Sequence, residues 1–550
     1  MILSLFAPLV PVALALAQGP AKQPVEPDAW SAPVVWRTTD GLYCTPAHAS
    51  LLPDGRVLFA GPARDTLEPE DATLDTRAVF AMAPTPWWVA PPAEVVSDAM
   101  DVPYDADPLF VPPYLVWDDL FCSGHALSAA GEVFFAGGTR GWYDVTSGDV
   151  VATGTGYALT YDGSDWTRVA ADMPALANLE FPARWYGAVT RLSDARMLVL
   201  GGYDLVVPFG LPNLSAEAFD PASGLWQVVT PHASVPSEVW NPDYSHPTAL
   251  PAGAPADVLV FGQEARPVLL SLGAATVWNV RPSQRPGTLP GELPNYGAST
   301  VQLPLRLDDG AWGYHNGSAL MAGGTHGSSH MTHADVYDPT ADAWLPRIEM
   351  ETPRHHPATV LLPDGRVLVV AGHNMMGVGG TQNAQYVDPA HGLAVVDGAR
   401  ESGFVRGYHA VALLLPDGRV LVGGGRDNQT ASTQEKAHFQ YLYPGYMFRP
   451  RPAILSAPLE LDYGAPFGIV SSGSAPSEVV LVALGSMTHS MDFNQRHVQL
   501  ELVSSHATPA GQASLVVAPG DAATAPPGHY MLFVLDARRT PSVARIVHLD

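Results

Sequence analysis

Only two cysteines, Cys44 and Cys122, occur in the 550 residues. A disulfide-stapled scaffold is thereby excluded, as is structural zinc held by Cys/His clusters at short spacing. A single bond between the two cysteines stays open at this level. Basic residues are also scarce: 28 Lys and Arg stand against 54 Asp and Glu, a formal net charge of −26. Such a chain has little with which to neutralise phosphates, so neither nucleic acid nor an anionic membrane surface is its partner. The negative excess serves solubility. Long apolar runs are missing beyond the N-terminus, so no membrane span is expected in the mature chain. The one apolar run, MILSLFAPLVPVALALAQG, is short and broken by Pro8 and Pro11. It ends on Ala15-Leu16-Ala17, a small-x-small cleavage pattern before Gln18. Residues 1–17 therefore read as a secretory signal peptide, and the protein as secreted or held in the cell envelope. Residues 18–35 read as a linker.

What the chain does have is glycine, proline and repetition. The 51 Gly and 53 Pro suit many short strands joined by tight turns. LLPDGRVLFAG (51–61) recurs as LSAAGEVFFAGG (127–138), RLSDARMLVLGG (191–202), LLPDGRVLVVAG (361–372) and LLPDGRVLVGGG (414–425). LPAGAPADVLVFG (250–262) and YHNGSALMAGG (314–324) are weaker copies, making seven. Each is an apolar hairpin closed by glycines. Several are followed by a Tyr/Phe-Asp step and a Trp, as in AEAFDPASGLW and ADVYDPTADAW. Units of about four strands that cannot bury both faces alone must stack radially. The expected fold is all-β: a seven-bladed kelch-type β-propeller over 36–445. A Pro-rich junction, YPGYMFRPRPAIL, ends the repeat. The alternating runs PSEVVLVAL, HVQLELV and HYMLFVLD then predict an immunoglobulin-like β-sandwich over 446–550.

Chemistry-bearing residues stand at matching offsets before several hairpins: Cys122 in FCSGHAL, Tyr186 in FPARWYGAV, His355 and His356 in RHHPATV, and the Tyr408-His409 pair in GYHAVALLLPDGRV. In the C-terminal region, LGSMTHSMDFNQR presents His489 between two strands. A propeller gathers such positions around one axis. Two imidazoles and two phenols form an N,O donor set that suits tetragonal copper(II). Equally, Tyr and His in β turns are often only packed or solvated. The loop GGTHGSSHMTHADVYD carries His326, His330 and His333, which read as a pocket-lining or solvated loop in preference to a second metal site.

FCSGHAL, RWYGAV, GYHAVALLLPDGRV and GSMTHSMDFNQR, in this order, resemble the motifs of the copper radical oxidases, the galactose oxidase and glyoxal oxidase family. The resemblance runs from about residue 36 to the end. It implies one copper per chain, held by Tyr186, Tyr408, His409 and His489. It also implies a thioether between Cys122 and Tyr186, making the seat of a stable tyrosyl radical, with Tyr408 as axial ligand and catalytic base. Copper and the radical would each take one electron from a small aldehyde or primary alcohol. O2 would reoxidise the site and leave as hydrogen peroxide. Cys44 matches no motif of the family. The family's tryptophan over the modified tyrosine has no counterpart after the glycine pair of that blade, where Tyr203 and Asp204 stand. Strand alternation predicts that Trp185 points away from Tyr186. The absence of a carbohydrate-binding module before the first blade favours small aldehydes or alcohols over sugars. The rival reading is a non-catalytic kelch propeller that binds partners in the envelope or matrix. A third is a copper-binding protein with a damaged oxidase site.

Overall fold

The computed structural model describes residues 28–550 except 65–74, 98, 105–108, 112–113, 145–149, 175–182, 204–211, 214, 232–233, 242–243, 289–291, 327–328, 374–382, 402–404, 428–433 and 436. The expected signal peptide, residues 1–17, lies outside the described residues, as does Asp204. The described residues form strands and short 3-10 turns, and none of their helices is long and apolar enough to cross a membrane.

The repeated hairpins share one turn. In Leu52-Pro53-Asp54-Gly55, the Gly55 N–H donates to the Leu52 carbonyl at 2.9 Å, and Gly55 has φ +85°. The Asp54 carboxylate accepts the Arg56 backbone N–H at 2.9 Å and its Nε–H at 2.6 Å. Asp364 with Arg366 and Asp417 with Arg419 repeat this arrangement. A type I turn closed by a left-handed residue is one of the few connections that keep two strands in register. Where glycine is lacking, Ala195 takes φ +68°.

Seven hairpins recur in six sheets, the first and the last sharing one 12-stranded sheet. Their first strands are His48–Leu51, Gly124–Leu127, Ala188–Arg191, His246–Ala249, Ala298–Gln302, His355–Leu361 and Ala410–Leu414. From the second onward each touches the next, and the last returns to the first. This is the ring of a seven-bladed propeller. The glycines that end the second strands are needed where blades meet. A Cβ on Gly137 would lie 2.0 Å from the Arg184 carbonyl oxygen, and one on Gly424 would lie 2.0 Å from that of Pro46, which joins the seventh blade to the first. The Tyr/Phe-Asp…Trp signature pairs rings on the outer strands: Phe219 with Trp226 and Tyr337 with Trp344, both at 5.2 Å between centroids.

The N-terminal boundary differs from the sequence expectation. Residues expected to be linker up to 35 are partly strand. Ala29–Trp30 and Val34–Thr38 both pair with His438–Tyr443, the third strand of the seventh blade. The first residues thus complete the last blade, a pairing that no local repeat announces. An additional four-stranded sheet, Leu109–Val111, Tyr114–Asp119, Thr139–Asp144 and Val150–Gly154, is inserted around the second blade.

The C-terminal region has a four-stranded and a five-stranded sheet enclosing Ile469, Leu481, Val516 and Leu532. In Glu478–Ala483, Val479 and Leu481 face this core while Val480 and Val482 join the propeller core with Leu413 and Val422. Burial on both faces explains the unbroken apolar run there. From this region a hairpin, Ser486–Thr488 and Met491–Asp492, enters the ring. It pairs with the first strand of blade one, His48 opposite Thr488, and touches that of blade two. It also touches the first strands of blades five, six and seven, so the hairpin fills the channel along the axis.

Candidate functional site

One register position supplies the ring of side chains at the end of the channel. Cys122, Tyr186, Tyr244, Gly297, His356 and His409 each stand six residues before the residue that opens the hairpin turn of their blade, namely Ser128, Leu192, Leu250, Leu303, Leu362 and Leu415. Buried arginines fix these loops. Arg184 donates to the carbonyls of Gly201 (2.5 Å) and Ser215 (3.0 Å), Arg354 to Ala371 and Asn383 (both 2.6 Å), and Arg406 to Gly424 (2.9 Å) and His438 (3.0 Å). Each guanidinium thereby ties its loop to the second and third strands of the same blade. Arg184 and Arg354 stand two residues before the ring position, whereas Arg406 stands three before. The extra residue in the last blade lets Tyr408 lie beside His409.

Backbone conformation marks the same residues. Cys122 (φ +62°), Tyr186 (+65°), His356 (+54°), His409 (+70°) and His489 (+50°) all occupy the left-handed region. Each such residue costs on the order of 1–3 kcal/mol and persists only where the surrounding structure dictates it. Four blades and the inserted hairpin bear this cost at one end of the channel.

The structure brings together all five residues singled out from the sequence. The Tyr186 and Tyr408 hydroxyls are hydrogen-bonded to each other. The Tyr408 ring lies 4.0 Å from that of His409, and His409 lies 4.4 Å from His489. Cys122 Sγ is 3.4 Å from His489 Nε2, and the Tyr186 N–H donates to the Cys122 carbonyl at 2.9 Å. Cys122, Tyr186, His409 and His489 are buried, and Tyr408 is half-buried, the most exposed of the five. The Arg426 guanidinium lies 5.8 Å from the Tyr408 ring centroid, which favours negative charge on that phenol. No disulfide joins Cys44 to Cys122, and Cys44 lies in the propeller core.

His489 is held in one orientation by its neighbours. Its Nδ1–H donates to Thr488 Oγ1 at 2.6 Å, and Thr488 Oγ1 donates onward to the Ala47 carbonyl at 3.4 Å. This tautomer puts the Nε2 lone pair into the cluster, the arrangement that backbone and hydroxyl acceptors impose on metal-bound histidines. Burial, and then the imidazoles of His409, His48 and His356, hold His489 well below the ordinary histidine pKa. It is neutral, as a ligand must be. Two phenol oxygens and two imidazoles around one point, without carboxylate or thiolate excess, fit a tetragonal copper(II) ion.

Two further ring members stand beside the five: Tyr244, which the sequence reading does not name, and His356, which it places at the matching offset without a ligand role. The repeat offset was the available signal, but their motifs, DYSHP and RHHP, differ from those around Cys122 and Tyr186. Tyr244 stands 5.1 Å from Tyr186 and its Oη lies 3.4 Å from His489 Nδ1. His356 stands 4.7 Å from Tyr408. The expectation for Trp185 fails: its ring lies 4.4 Å from that of Tyr186, edge-on at 75°. Strand alternation does not apply, because Tyr186 is left-handed and Arg184 and Trp185 form only isolated bridges in place of a strand. Trp185 is held there by its Nε1–H, which donates to Thr139 Oγ1 at 3.0 Å. The histidines of the 326–333 loop separate. His333 Nε2 lies 3.4 Å from the Asp335 carboxylate, while His330 turns toward His355 and His373.

Residues 451–549 match the family described as Galactose oxidase-like, Early set domain. Aldehyde oxidase GLOX1 of Arabidopsis thaliana is 26% identical over 487 residues, covering 80% of this chain and 73% of that protein. A galactose oxidase of Gibberella zeae is 29% identical over 202 residues, covering 35% of this chain and 28% of that one. A solved copper complex of a fungal alcohol oxidase of the AA5 family superposes with a TM-score of 0.66. It covers 95% of this chain and 99% of its own at 18% identity, a likeness of fold. By its C-terminal domain and along most of its length, the chain is therefore similar to proteins named aldehyde oxidase and galactose oxidase, and it shares its fold with a copper-bound alcohol oxidase.

Proposed function

We propose that the protein is an exported copper radical oxidase that converts small aldehydes or primary alcohols to their two-electron oxidation products and reduces O2 to hydrogen peroxide. The observation that carries this reading is the convergence of Tyr186, Tyr408, His409 and His489 around one point, with the Cys122 sulfur beside them. Export rests on the N-terminal leader, residues 1–17, and the preference for small substrates on the relatives named aldehyde oxidase.

Copper held by Tyr186, Tyr408, His409 and His489 would supply a one-electron acceptor and a Lewis-acidic position for the substrate oxygen. The remaining chemistry falls to the side chains. Cys122 and Tyr186 join through a thioether: an S–H and a ring C–H are lost, a C–S bond forms, and O2 takes the two electrons and two protons as hydrogen peroxide. The ortho sulfur stabilises a radical on Tyr186. Tyr408, the half-buried phenol, takes the substrate hydroxyl proton on its Oη, and Arg426 favours the phenolate that can do so. Tyr186 takes the hydrogen atom from the substrate carbon. Trp185 and Tyr244, edge-on to Tyr186, exclude water from the radical ring. Overall, RCH2OH and O2 give RCHO and H2O2, and an aldehyde hydrate gives the acid by the same steps.

The test is peroxide release by copper-loaded protein across a panel of aldehydes and primary alcohols, with the intact mass of the same sample. The reading requires turnover and a mass lowered by two hydrogens. Copper-bound protein with no turnover on any substrate, an alkylatable Cys122 and an unchanged mass would leave a metal-binding or adhesive propeller.

A further inference from the structure

A second group of histidines lies apart from these five residues. His330 ends the small hairpin formed by Thr325–His326 and Ser329–His330. His355 opens the first strand of blade six, and His373 closes its second strand, directly across the ladder from His355. One ring nitrogen from each lies within 4.8 Å of the others, and the rings are 4.4 to 5.8 Å apart between centroids. All three are buried, at 6%, 3% and 4% exposure.

Their hydrogen bonding is that of a site prepared for an ion. His330 Nδ1–H donates to the His373 carbonyl at 3.2 Å, so its lone pair is on Nε2, a buried atom with no hydrogen-bond partner. His355 has no hydrogen-bond partner on either ring nitrogen. Leaving a buried polar atom unsatisfied costs about 1–3 kcal/mol, so orphaned imidazole nitrogens facing one another need a common partner. Two glycines make the room: a Cβ on Gly297 would lie 2.2 Å from His355 Nε2, and one on Gly407 2.4 Å from His373 Cδ2. Burial lowers the pKa of all three rings, which keeps them in the neutral form that binds metals.

We propose that His330, His355 and His373 hold a second metal ion, a divalent zinc- or copper-class cation, at a site distinct from the tyrosine-histidine centre. Three neutral imidazoles select such borderline ions over magnesium or calcium, which take oxygen ligands. A zinc ion among them would require each nitrogen at about 2.0–2.1 Å. His356 lies between the two sites, 4.0 Å from His355 and 4.7 Å from Tyr408.

The experiment is metal analysis of full-length protein, stripped by chelator and reloaded with Zn2+ or Cu2+ alone. Wild type should retain two equivalents of Cu2+. His330→Gln/His355→Gln should retain one and still show the two-hydrogen mass loss at Cys122 and Tyr186. His409→Ala/His489→Ala isolates the second site: it should retain one equivalent of Zn2+, with an upward thermal shift. That arm is independent of any oxidase activity. Wild type retaining a single ion, or a second ion that survives His330→Gln/His355→Gln, overturns the proposal. If that double variant does not fold, the absence of a Zn2+-dependent thermal shift in His409→Ala/His489→Ala overturns it equally.

Discussion

Tyr408 and Cys122 sit in one cluster yet carry separable duties in the proposed reaction. Tyr408→Phe keeps the ring and leaves three donors, Tyr186, His409 and His489, so copper stays bound while proton removal fails. Peroxide turnover should fall about a hundred- to ten-thousand-fold with copper stoichiometry unchanged. Cys122→Ser keeps all four donors and loses only the sulfur. Turnover should collapse without the two-hydrogen mass loss, and copper content by metal analysis should hold. At the same scale Asp492 gives a stability prediction. Burial lifts its carboxyl from the ordinary 3.8 to about 6, against the backbone N–H groups of Asn494 and Ser486 that it accepts. The folded state therefore binds the proton more tightly than the unfolded chain. This contribution to stability is fully present below pH 4 and is lost as pH rises from about 4 to about 6, by about 3 kcal/mol at most. Asp492→Asn keeps an acceptor oxygen and removes the charge. It should raise the urea midpoint at pH 7.5 and leave it unchanged or lower at pH 4.5. A variant midpoint at or below that of wild type at pH 7.5 would contradict this.

Elements decide which of these residues meet. The hairpin turns and glycine pairs were legible in the sequence because each copy repeats the same local requirement, a left-handed residue after Asp or a missing Cβ at a blade contact. Cys122, Tyr186 and the Tyr408-His409 pair were legible for the same reason, standing at a fixed offset from those turns. Trp185 was not, since its direction follows from a left-handed neighbour that no alternation pattern encodes. The grouping of His330 with His355 and His373 was also hidden, because it joins a loop to two strands of the next blade. Two substitutions probe the elements. Gly424→Ala places a methyl against the Pro46 carbonyl at φ +62°, and should cost about 2–4 kcal/mol in urea unfolding. Thr488→Val removes the hydroxyl that orients His489, and should weaken copper binding about 10- to 100-fold by competition titration while the circular dichroism spectrum stays the same.

On the scale of the whole molecule, the seven hairpin copies foretold the propeller, and the alternating runs after the Pro-rich junction foretold the sandwich. Local patterns do not specify partners hundreds of residues away, which is why the closing of the seventh blade by residues 29–38 went unread. Deleting those residues should expose the edge of His438–Tyr443 and cost several kcal/mol, seen as a lower urea midpoint and a rise in aggregation by light scattering.

The inserted hairpin also has a consequence for the order in which the protein is made. Its ladder ties Ala47 and His48 to Thr488, partners separated by more than 400 positions. A ribosome adds about 5–20 residues each second, so blades can form while the strand that brings His489 is still unsynthesised. Until that strand docks, the nascent chain lacks one of the four donors proposed for copper, and Cys122 lacks the imidazole beside its sulfur. Synthesis is thus separated in time from arming: the proposed oxidising centre comes into being only once the C-terminal hairpin has docked into the ring.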